Sequence, residues 1–232
     1  MKVSAIKTSI FGEGENLQDF IVRHIKDLPE KSVLVITSKI VSLSEHRTAP
    51  AKDKKRLIIE ESDFAMPTKY VWLTIKDGQV MASAGIDESN ADGKLILLPK
   101  DSYKSAREIR KFLQKKYKVK NIGVLITDSR TIPLRAGIIG MAVGYAGFKG
   151  VKDYRGKSDI FKRKFEFSRV DVADGLAASA VLAMGEGNEQ QPLAVIQNAP
   201  IEFCEKNSPK ELYIDPKEDM YSPLFIKLSK NK

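Results

Sequence analysis

The chain of 232 residues is poor in the residues that form disulfides and transition-metal sites, since it has one cysteine and two histidines. The single Cys204 cannot form an internal disulfide and is expected to be structural. No apolar run approaches the length of about 18 residues that suggests a membrane span, and residues 1–16 lack the apolar core of a signal peptide. These absences argue against a secreted, disulfide-stapled fold and lead us to expect a cytoplasmic protein.

Charge is the most uneven property of the composition. Basic residues number 39 and acidic residues 30, which gives a net charge of +9 and suits anionic ligands such as nucleotides. The lysines are spread along the whole chain, with local runs only at 115–120 and 227–232, and few aromatic residues lie among them. A solvated basic surface therefore explains most of the charge, and nucleic-acid binding has weak support.

Hydrophobic patterning predicts both strands and helices. Short apolar runs rich in β-branched residues predict buried strands at 32–37, 95–98, 121–126 and 193–196. Helical periodicity predicts helices at 17–25, 52–65, 101–117 and 172–184. Asp77-Gly78 between two strand-like segments predicts a hairpin, which requires antiparallel pairing. We therefore predict an α+β fold with mixed sheets and packed helices, as a single unit over 1–232; two lobes, with a boundary near 83 and a return near 150–168, are an alternative.

Residues 84–90 read AGIDESN and place two carboxylates, a hydroxyl and an amide in four consecutive positions. Such oxygen-rich clusters suit hard cations such as Mg²⁺ and Mn²⁺. Asp, Ser and Asn are also common turn residues, and turns are far more frequent than metal sites. The segment alone thus leaves both possibilities open, with a turn favoured.

Polar side chains follow two of the predicted strands. Ser38 and Lys39 follow the strand at 32–37, where a hydroxyl and an ammonium can meet a phosphate, although an ordinary strand exit is the simpler interpretation. Asp128 stands at the expected end of the strand at 121–126, a place where α/β proteins often carry their chemistry. The glycine-rich stretch at 136–150 matches neither the dinucleotide-binding nor the P-loop pattern, so we predict neither site.

Taken in order, these segments and the one ending in Met184-Gly185-Glu186 resemble the coenzyme F420-0:γ-glutamyl ligase family. AGIDESN is the most specific matched string, and the stretches at 33–47, 153–159 and 172–186 also resemble the family, so that the match spans roughly residues 31–196. The resemblance implies a mixed fold that forms an intertwined homodimer with its active site near the subunit interface. It also implies a ligase that uses GTP as co-substrate and Mg²⁺ or Mn²⁺ to join L-glutamate to an acceptor carboxylate.

The resemblance also assigns roles by matched position. The implied metal ligands are Asp87, Asp128, Ser129 (a threonine in the family) and Glu186. The implied nucleotide-binding residues are Ser38, Lys39, Asn90, Met184, Gly185, Gly187 and Gln191. A ligase activates its carboxylate as an acyl phosphate with the help of cations, so Asp87 and Asp128 are expected to be catalytic. Arg155, or alternatively Arg135, is expected to clamp a substrate carboxylate, because a guanidinium matches it with two hydrogen bonds.

Several positions depart from the family pattern. Leu43 stands where the family usually has lysine, Ile132 and Leu134 where it has arginine and tryptophan, and Gly140 where it has aspartate. Because the metal set is better kept than the residues expected at the acceptor, we predict retained phosphoryl chemistry with a changed acceptor, either F420-0 or, as in a related branch, tetrahydrofolate. A non-catalytic nucleotide-binding homologue and a basic nucleic-acid-binding protein are the competing interpretations.

Overall fold

A five-stranded mixed sheet forms the centre of the computed structural model, which describes residues 1–224. Its strands, in spatial order, are β1 (Lys2–Ile6), β12 (Leu193–Gln197), β2 (Ser32–Thr37), β8 (Ile122–Thr131) and β9 (Ile138–Ala146). Strands β2 and β8 run parallel, and the other neighbouring pairs are antiparallel. The predicted α+β class with mixed pairing is confirmed, while the basic run at 227–232 lies outside the described residues.

Both faces of this sheet are covered. Leu34 and Ile36 of β2 join an apolar cluster with α1 (Leu17–His24) and α4 (Ser102–Tyr117), and Val33 and Val35 join a cluster on the opposite face with α5 (Val172–Met184). Side chains of a strand point alternately to its two faces, so a strand covered on both faces is apolar throughout. This explains why residues 32–37 lack an alternating polar pattern.

Three helices are capped by the side chain of the residue that precedes them. The side chains of Asn16, Asp101 and Asp171 accept hydrogen bonds from backbone amides of the first turn at 3.0, 2.8 and 2.9 Å, in α1, α4 and α5 respectively. These contacts satisfy donors that have no partner inside the helix. Within residues 1–224, no helix combines the length and the apolarity needed to cross a membrane.

The predicted helix at 52–65 is wrong at its carboxyl end. A 3₁₀ turn (Ala51–Asp53) leads into α3 (Lys54–Glu60), and the chain then forms strand β4 (Phe64–Pro67). Strand β4 pairs with β5 (Trp72–Lys76), which pairs in turn with β6 (Gln79–Ala82). The pairing with β5 overrides the helical periodicity, whereas the predicted hairpin at Asp77-Gly78 is confirmed, with both residues at positive φ.

Two further strand pairs complete the described part of the chain. Strand β3 (Thr48–Pro50) pairs with β7 (Lys94–Ile96), and β10 (Val151–Asp153) pairs with β11 (Arg169–Asp171). A third apolar cluster, separate from the two beside the large sheet, is made of Ile58, Ala84, Ile86, Leu95 and Leu97. All residues of this cluster, with the apolar side chains packed on it, lie between positions 49 and 97. The division into two lobes, with a boundary near 83 and a return near 150–168, stays a prediction.

Candidate functional site

The parallel strands β2 and β8 bring two predicted site residues side by side. The two strands pair from Ser32 opposite Ile122 up to Thr37 opposite Thr127. The next residues, Ser38 and Asp128, therefore occupy equivalent positions at the same edge of the sheet. The hydroxyl of Ser38 donates a hydrogen bond to Oδ1 of Asp128 at 3.2 Å. Their proximity follows from the register of the sheet, and helix α2 (Ser38–Ser44) carries the chain away from this point.

The expected end of the strand after residue 126 is wrong. Strand β8 continues to Thr131 because it pairs with β9, the strand formed by the glycine-rich stretch for which we predicted no element. An irregularity between Ile126 and Thr127 shifts the register at that point. Such bulges redirect side chains and are frequent beside active sites. Asp128 and Ser129 therefore lie within a strand, just beyond its pairing with β2.

The AGIDESN segment is a turn held in a strained backbone. Ser83, Ala84 and Gly85 have φ angles of 50°, 57° and 70°, in the left-handed region. A side chain at Gly85 would also lie 2.7 Å from Leu98, so glycine is required there by both sterics and φ. After this turn, Asp87 exchanges two backbone hydrogen bonds with Ile96, at 2.9 and 2.8 Å. Residual strain of this kind clusters at functional sites.

Lys39 makes three close contacts with the AGIDESN segment. The Lys39 ammonium lies 2.8 Å from Oδ2 of Asp87 and donates hydrogen bonds to the carbonyl and hydroxyl oxygens of Ser89, at 2.6 and 3.0 Å. The Ser89 amide donates to Oδ1 of Asp87 at 2.7 Å. Burial raises the pKa of Asp87, but these hydrogen bonds from Lys39 and Ser89 outweigh it, so the pKa is lowered overall. Asp87 is therefore ionised at neutral pH.

The loop that follows α5 reaches the same place. Helix α5 ends at Gly185, which has a φ of 81°, and its amide donates to the carbonyl of Val181. The hydroxyl of Ser129 donates a hydrogen bond to Oε1 of Glu186, and the side-chain amide of Asn90 donates to the carbonyl of Gly187 at 3.4 Å. The loop thus contacts both β8 and the AGIDESN segment.

These contacts close a ring of four chain segments around one cavity of about 960 Å³. All eleven predicted nucleotide- and metal-binding residues line it: Ser38, Lys39, Asp87, Asn90, Asp128, Ser129, Met184, Gly185, Glu186, Gly187 and Gln191. The sheet register, the strained turn and the end of α5 therefore bring together residues that are far apart in the sequence.

The donor atoms of the predicted metal set are chemically suited to Mg²⁺ or Mn²⁺, since all of them are oxygens. Within residues 1–224, however, no three His, Cys, Asp or Glu side chains already converge as a metal site. Asp128 and Glu186 are linked through Ser129, but Arg130 contacts Asp128 and Lys39 contacts Asp87. The oxygen set fits a hard cation, while two of its carboxylates are neutralised by basic side chains of the protein.

Arg155 is not brought to the cavity within one chain. It lies beyond β10, and its Nε and Nη2 donate hydrogen bonds to the carboxylate oxygens of Asp153 at 2.6–3.1 Å. Hydrogen bonds from Arg155 lower the pKa of Asp153 to about 2. Arg135, the alternative clamp, lies in the segment between β8 and β9 and does not line the cavity either. A role for either arginine stays a prediction.

Several polar residues of the cavity wall, among them Thr8, Ser9 and Arg130, were not among the predicted site residues. Thr8 and Ser9 enter it because the amide of Thr8 donates to the carbonyl of Gln190 at 2.9 Å, a contact between distant segments that local patterns do not reveal. Arg130 also lines the cavity and is buried. Its position two residues after Asp128 in a strand puts both side chains on one face, which is the signal that was available in the sequence.

A cavity at one edge of a sheet, lined by convergent polar groups from several segments, is typical of a protein that binds small molecules. Residues 50–198 match the family model described as F420-0:Gamma-glutamyl ligase. The match covers more than half of the chain, so the protein belongs to the F420-0:γ-glutamyl ligase family, and the resemblance seen in the sequence is confirmed.

Similar proteins cover almost the whole chain. A protein of Methanococcus maripaludis is 35% identical over 215 residues, which are 84% of this chain and 86% of the relative. One from Archaeoglobus fulgidus is 30% identical over 229 residues, with 90% of each chain covered. A third, from Methanocaldococcus jannaschii, is 30% identical over 242 residues, 94% of this chain and 95% of the relative. Each of these three relatives is named Coenzyme F420:L-glutamate ligase.

Proposed function

We propose that the protein is a GTP- and divalent-cation-dependent ligase that joins L-glutamate to an acceptor carboxylate, either that of F420-0 or that of tetrahydrofolate. The observation that carries the proposal is the single cavity in which Asp87, Asp128 and Glu186 lie together with Lys39. Membership of the family and the names of the three relatives support glutamate ligation as the reaction.

Lys39 has a distinct role in this proposal. Its side chain is 22% exposed and is paired with Asp87, which is 45% exposed. A bound triphosphate offers the ammonium a more highly charged partner than one carboxylate. If the Lys39 ammonium moved from Asp87 to the phosphates, Asp87 could bind a cation. Lys39 would then balance phosphate charge, and the cation would balance the charge of Asp87.

Asp128, Ser129 and Glu186 would hold the cation, and Asp87 would join them or hold a second one. A bound Mg²⁺ or Mn²⁺ supplies neutralisation of the phosphate charge that develops during phosphoryl transfer. The Ser129–Glu186 and Ser38–Asp128 hydrogen bonds hold the oxygen donors in place before the cation binds. Such preorganisation reduces the cost of assembling the site.

The reaction then needs two steps. An oxygen of the acceptor carboxylate attacks the γ-phosphorus of GTP, which gives an acyl phosphate and GDP. The amine of L-glutamate attacks the acyl carbon, the amide bond forms, inorganic phosphate leaves and the nitrogen loses a proton. The protein binds and orients the reactants and excludes water from the acyl phosphate. No serine or cysteine nucleophile is needed, and the partly buried Cys204 takes no part.

A homodimer forms part of the proposal. Large apolar side chains are exposed on the segment between β10 and β11, on α5 and on the segment between β8 and β9, including Ile160, Phe161, Phe167, Leu182 and Leu134. Large exposed apolar side chains are typical of interaction surfaces. A dimer formed through these side chains would allow Arg155, which lies beyond β10, to reach the cavity of the second subunit.

The proposal is tested by incubating the protein with GTP, L-glutamate and Mg²⁺ or Mn²⁺, offering F420-0 and tetrahydrofolate separately, and weighing the products. We expect an acceptor extended by glutamate and one inorganic phosphate per amide bond. Heat protection by GTP should require the cation and reach about 2.7 kcal/mol at 100 times Kd. The Asp87→Asn variant, in parallel, should give no product.

Two other results would replace the proposal. Cation-dependent protection by GTP without phosphate release, in the presence of glutamate and either acceptor, indicates a non-catalytic nucleotide-binding homologue. Salt-sensitive binding to single or double strands of nucleic acid with no cation requirement indicates a nucleic-acid-binding protein.

A further inference from the structure

A second cavity, of about 560 Å³, meets the first at Arg130 and Leu98, which line both. Its wall is drawn from the turn between β5 and β6, the first turn of α4 and the segment around 209–213. The proposed reaction assigns it no role. Its charged residues are Arg130, Lys100, Lys210, Asp77 and Asp101.

Arg130 carries two unpartnered nitrogens. Its side chain is only 4% exposed, and within residues 1–224 neither Nε nor Nη2 has a hydrogen-bond partner. Nη1 alone is engaged, with Asp128 and with the carbonyl of Ser129. Buried polar groups of native proteins are normally paired, and an unpaired one calls for a specific explanation such as a missing ligand.

The other buried arginine of the fold shows the normal case. Arg110 is 7% exposed at its side chain, and every guanidinium nitrogen has a partner. Nε donates to the carbonyl of Ile122 at 2.8 Å, and the two terminal nitrogens donate to Glu205 at 3.2 and 3.1 Å. The unpaired state of Arg130 is therefore not a general property of buried arginines in this protein.

The identity of the two free nitrogens indicates what they bind. Arg155 uses the same pair, Nε and Nη2, to hold the carboxylate of Asp153 from the side. This edge of a guanidinium matches a carboxylate in two parallel hydrogen bonds. A carboxylate is thus the group that fits Nε and Nη2 of Arg130, which are closed to solvent and become reachable from the cavity when the side chain moves.

The rest of the second cavity suits a second negative charge. Lys100 and Lys210 are exposed, so they lie where solvent reaches the cavity, whereas Arg130 is buried. Of the two acidic side chains in the wall, Asp101 is already engaged as the cap of α4. Since the charge of Arg130 is already balanced by Asp128, Lys100 and Lys210 have only Asp77 left in the wall to pair with.

We propose that the second cavity binds a small dicarboxylic amino acid, with one carboxylate held by Nε and Nη2 of Arg130 and the other near Lys100 and Lys210. This inference rests on the proposed function in one respect, since it identifies the ligand as the L-glutamate co-substrate. Arg130 also contacts Asp128 of the first cavity, so a ligand held by its free edge lies beside the proposed phosphate site. Arg130 is then a substrate-binding residue that joins the two cavities.

The test is equilibrium dialysis with radiolabelled L-glutamate, with and without a non-hydrolysable GTP analogue. We expect saturable binding to the wild type, at least a tenfold loss of affinity in Arg130→Met, and no change in Arg107→Met. Arg107 is a matched control because it is exposed on α4 and lines neither cavity. Glutamine, which lacks the second carboxylate, should compete less well than glutarate.

A second variant keeps the test decisive if Arg130→Met does not fold. Lys100→Met/Lys210→Met changes only exposed side chains and should weaken glutamate binding at least threefold, with heat protection by GTP unchanged. Equal affinity of this double variant and the wild type, or of a folded Arg130→Met variant and the wild type, would overturn the inference, and so would the absence of glutamate binding to the wild type. Glutamate binding that depends on Arg130, in a protein that forms no amide product, would uphold the inference and reject the proposed function.

Discussion

Ser129 donates its hydroxyl hydrogen bond to Oε1 of Glu186, a residue 57 positions further along the chain. The contact fastens the loop after α5 to the strand that carries Asp128. Because Asp128 also accepts a hydrogen bond from Ser38, one strand connects the two oxygen donors to the end of β2. The hydrogen bonds among protein groups therefore place the oxygen set around the cavity without a ligand.

The two aspartates differ in their importance for stability. Asp128→Asn removes the charge that partners Arg130, whose side chain is 4% exposed, so we expect a loss of up to about 3–5 kcal/mol. Asp87→Asn weakens a more exposed pair with Lys39, and we expect about 0–1 kcal/mol. Both variants should lose ligase activity. Urea denaturation of each variant checks the difference, and equal destabilisation would contradict the burial of the Arg130–Asp128 pair.

Gly140 cannot be returned to the aspartate of the family pattern. A Cβ atom at this position would lie 2.6 Å from the carbonyl of Ala177 and 2.6 Å from Cβ of Val181, because α5 packs directly on β9. We expect Gly140→Asp to lower the free energy of unfolding by more than about 2 kcal/mol. Gly175→Ala, on the same helix with open space around it, should instead stabilise by about 0.5–1 kcal/mol. An unchanged melting temperature in Gly140→Asp would show that the helix can move away.

The resemblance places Leu43 where the family usually has a lysine, and we expect a lysine there to contact a phosphate. Leu43 lines the first cavity and is partly buried against the cluster around α1 and α4. Leu43→Lys places an ammonium in the wall of the cavity, and we expect tighter binding of GTP, by about two- to tenfold. Leu43→Met keeps the volume without the charge and should leave the affinity as it is. Weaker binding in the lysine variant would mean that no phosphate lies near this position.

Asp174 makes stability depend on pH. Burial raises the pKa of this carboxyl to about 7; the backbone N–H of Ala142 opposes the shift, and the nearby Asp171 adds to it. A carboxyl with a raised folded-state pKa contributes stability below its unfolded pKa of about 3.9, and this contribution is lost as the pH rises through about 7. Asp174→Asn should therefore gain stability relative to the wild type between pH 5 and pH 8.

The control for this pH prediction is Asp19→Asn. Asp19 holds the same position in α1 as Asp174 in α5, since each donates its amide to the capping side chain, but Asp19 is exposed. Denaturant titrations at several pH values should show the widening difference for Asp174→Asn only. A difference that is constant with pH would contradict the burial of a neutral carboxyl at Asp174.

The sequence predicted most elements whose pattern is local. Strand β2 and helices α4 and α5 were placed within one residue of their observed bounds, since buried runs, caps and periodicity all agree there. Strand β4 and the second half of β8 were missed because each exists through pairing with the next strand along the chain, β5 and β9 respectively. Periodicity over a few residues contains no information about such partners.

The candidate site likewise has residues that the sequence identified and contacts that it did not. The resemblance named residues that line the cavity because family motifs mark positions directly, and it gave no reason to look at Arg130. The contacts that close the ring, such as that between Asn90 and Gly187, depend on how α5 and β8 pack. Arg155 was predicted from its chemistry alone, and within one chain its position depends on the segment at 151–171, which lies away from the cavity.

In the proposed function, Asp87, Asp128 and Glu186 jointly hold cations against a bound triphosphate. Crystals grown with Mn²⁺ and a non-hydrolysable GTP analogue test this role most directly, through anomalous scattering from manganese. The proposal predicts manganese bound to oxygens of Asp128 and Glu186, with Asp87 released from Lys39 and ligating the same ion or a second one. Bound nucleotide with no manganese at these carboxylates, or with Lys39 still paired to Asp87, would contradict it.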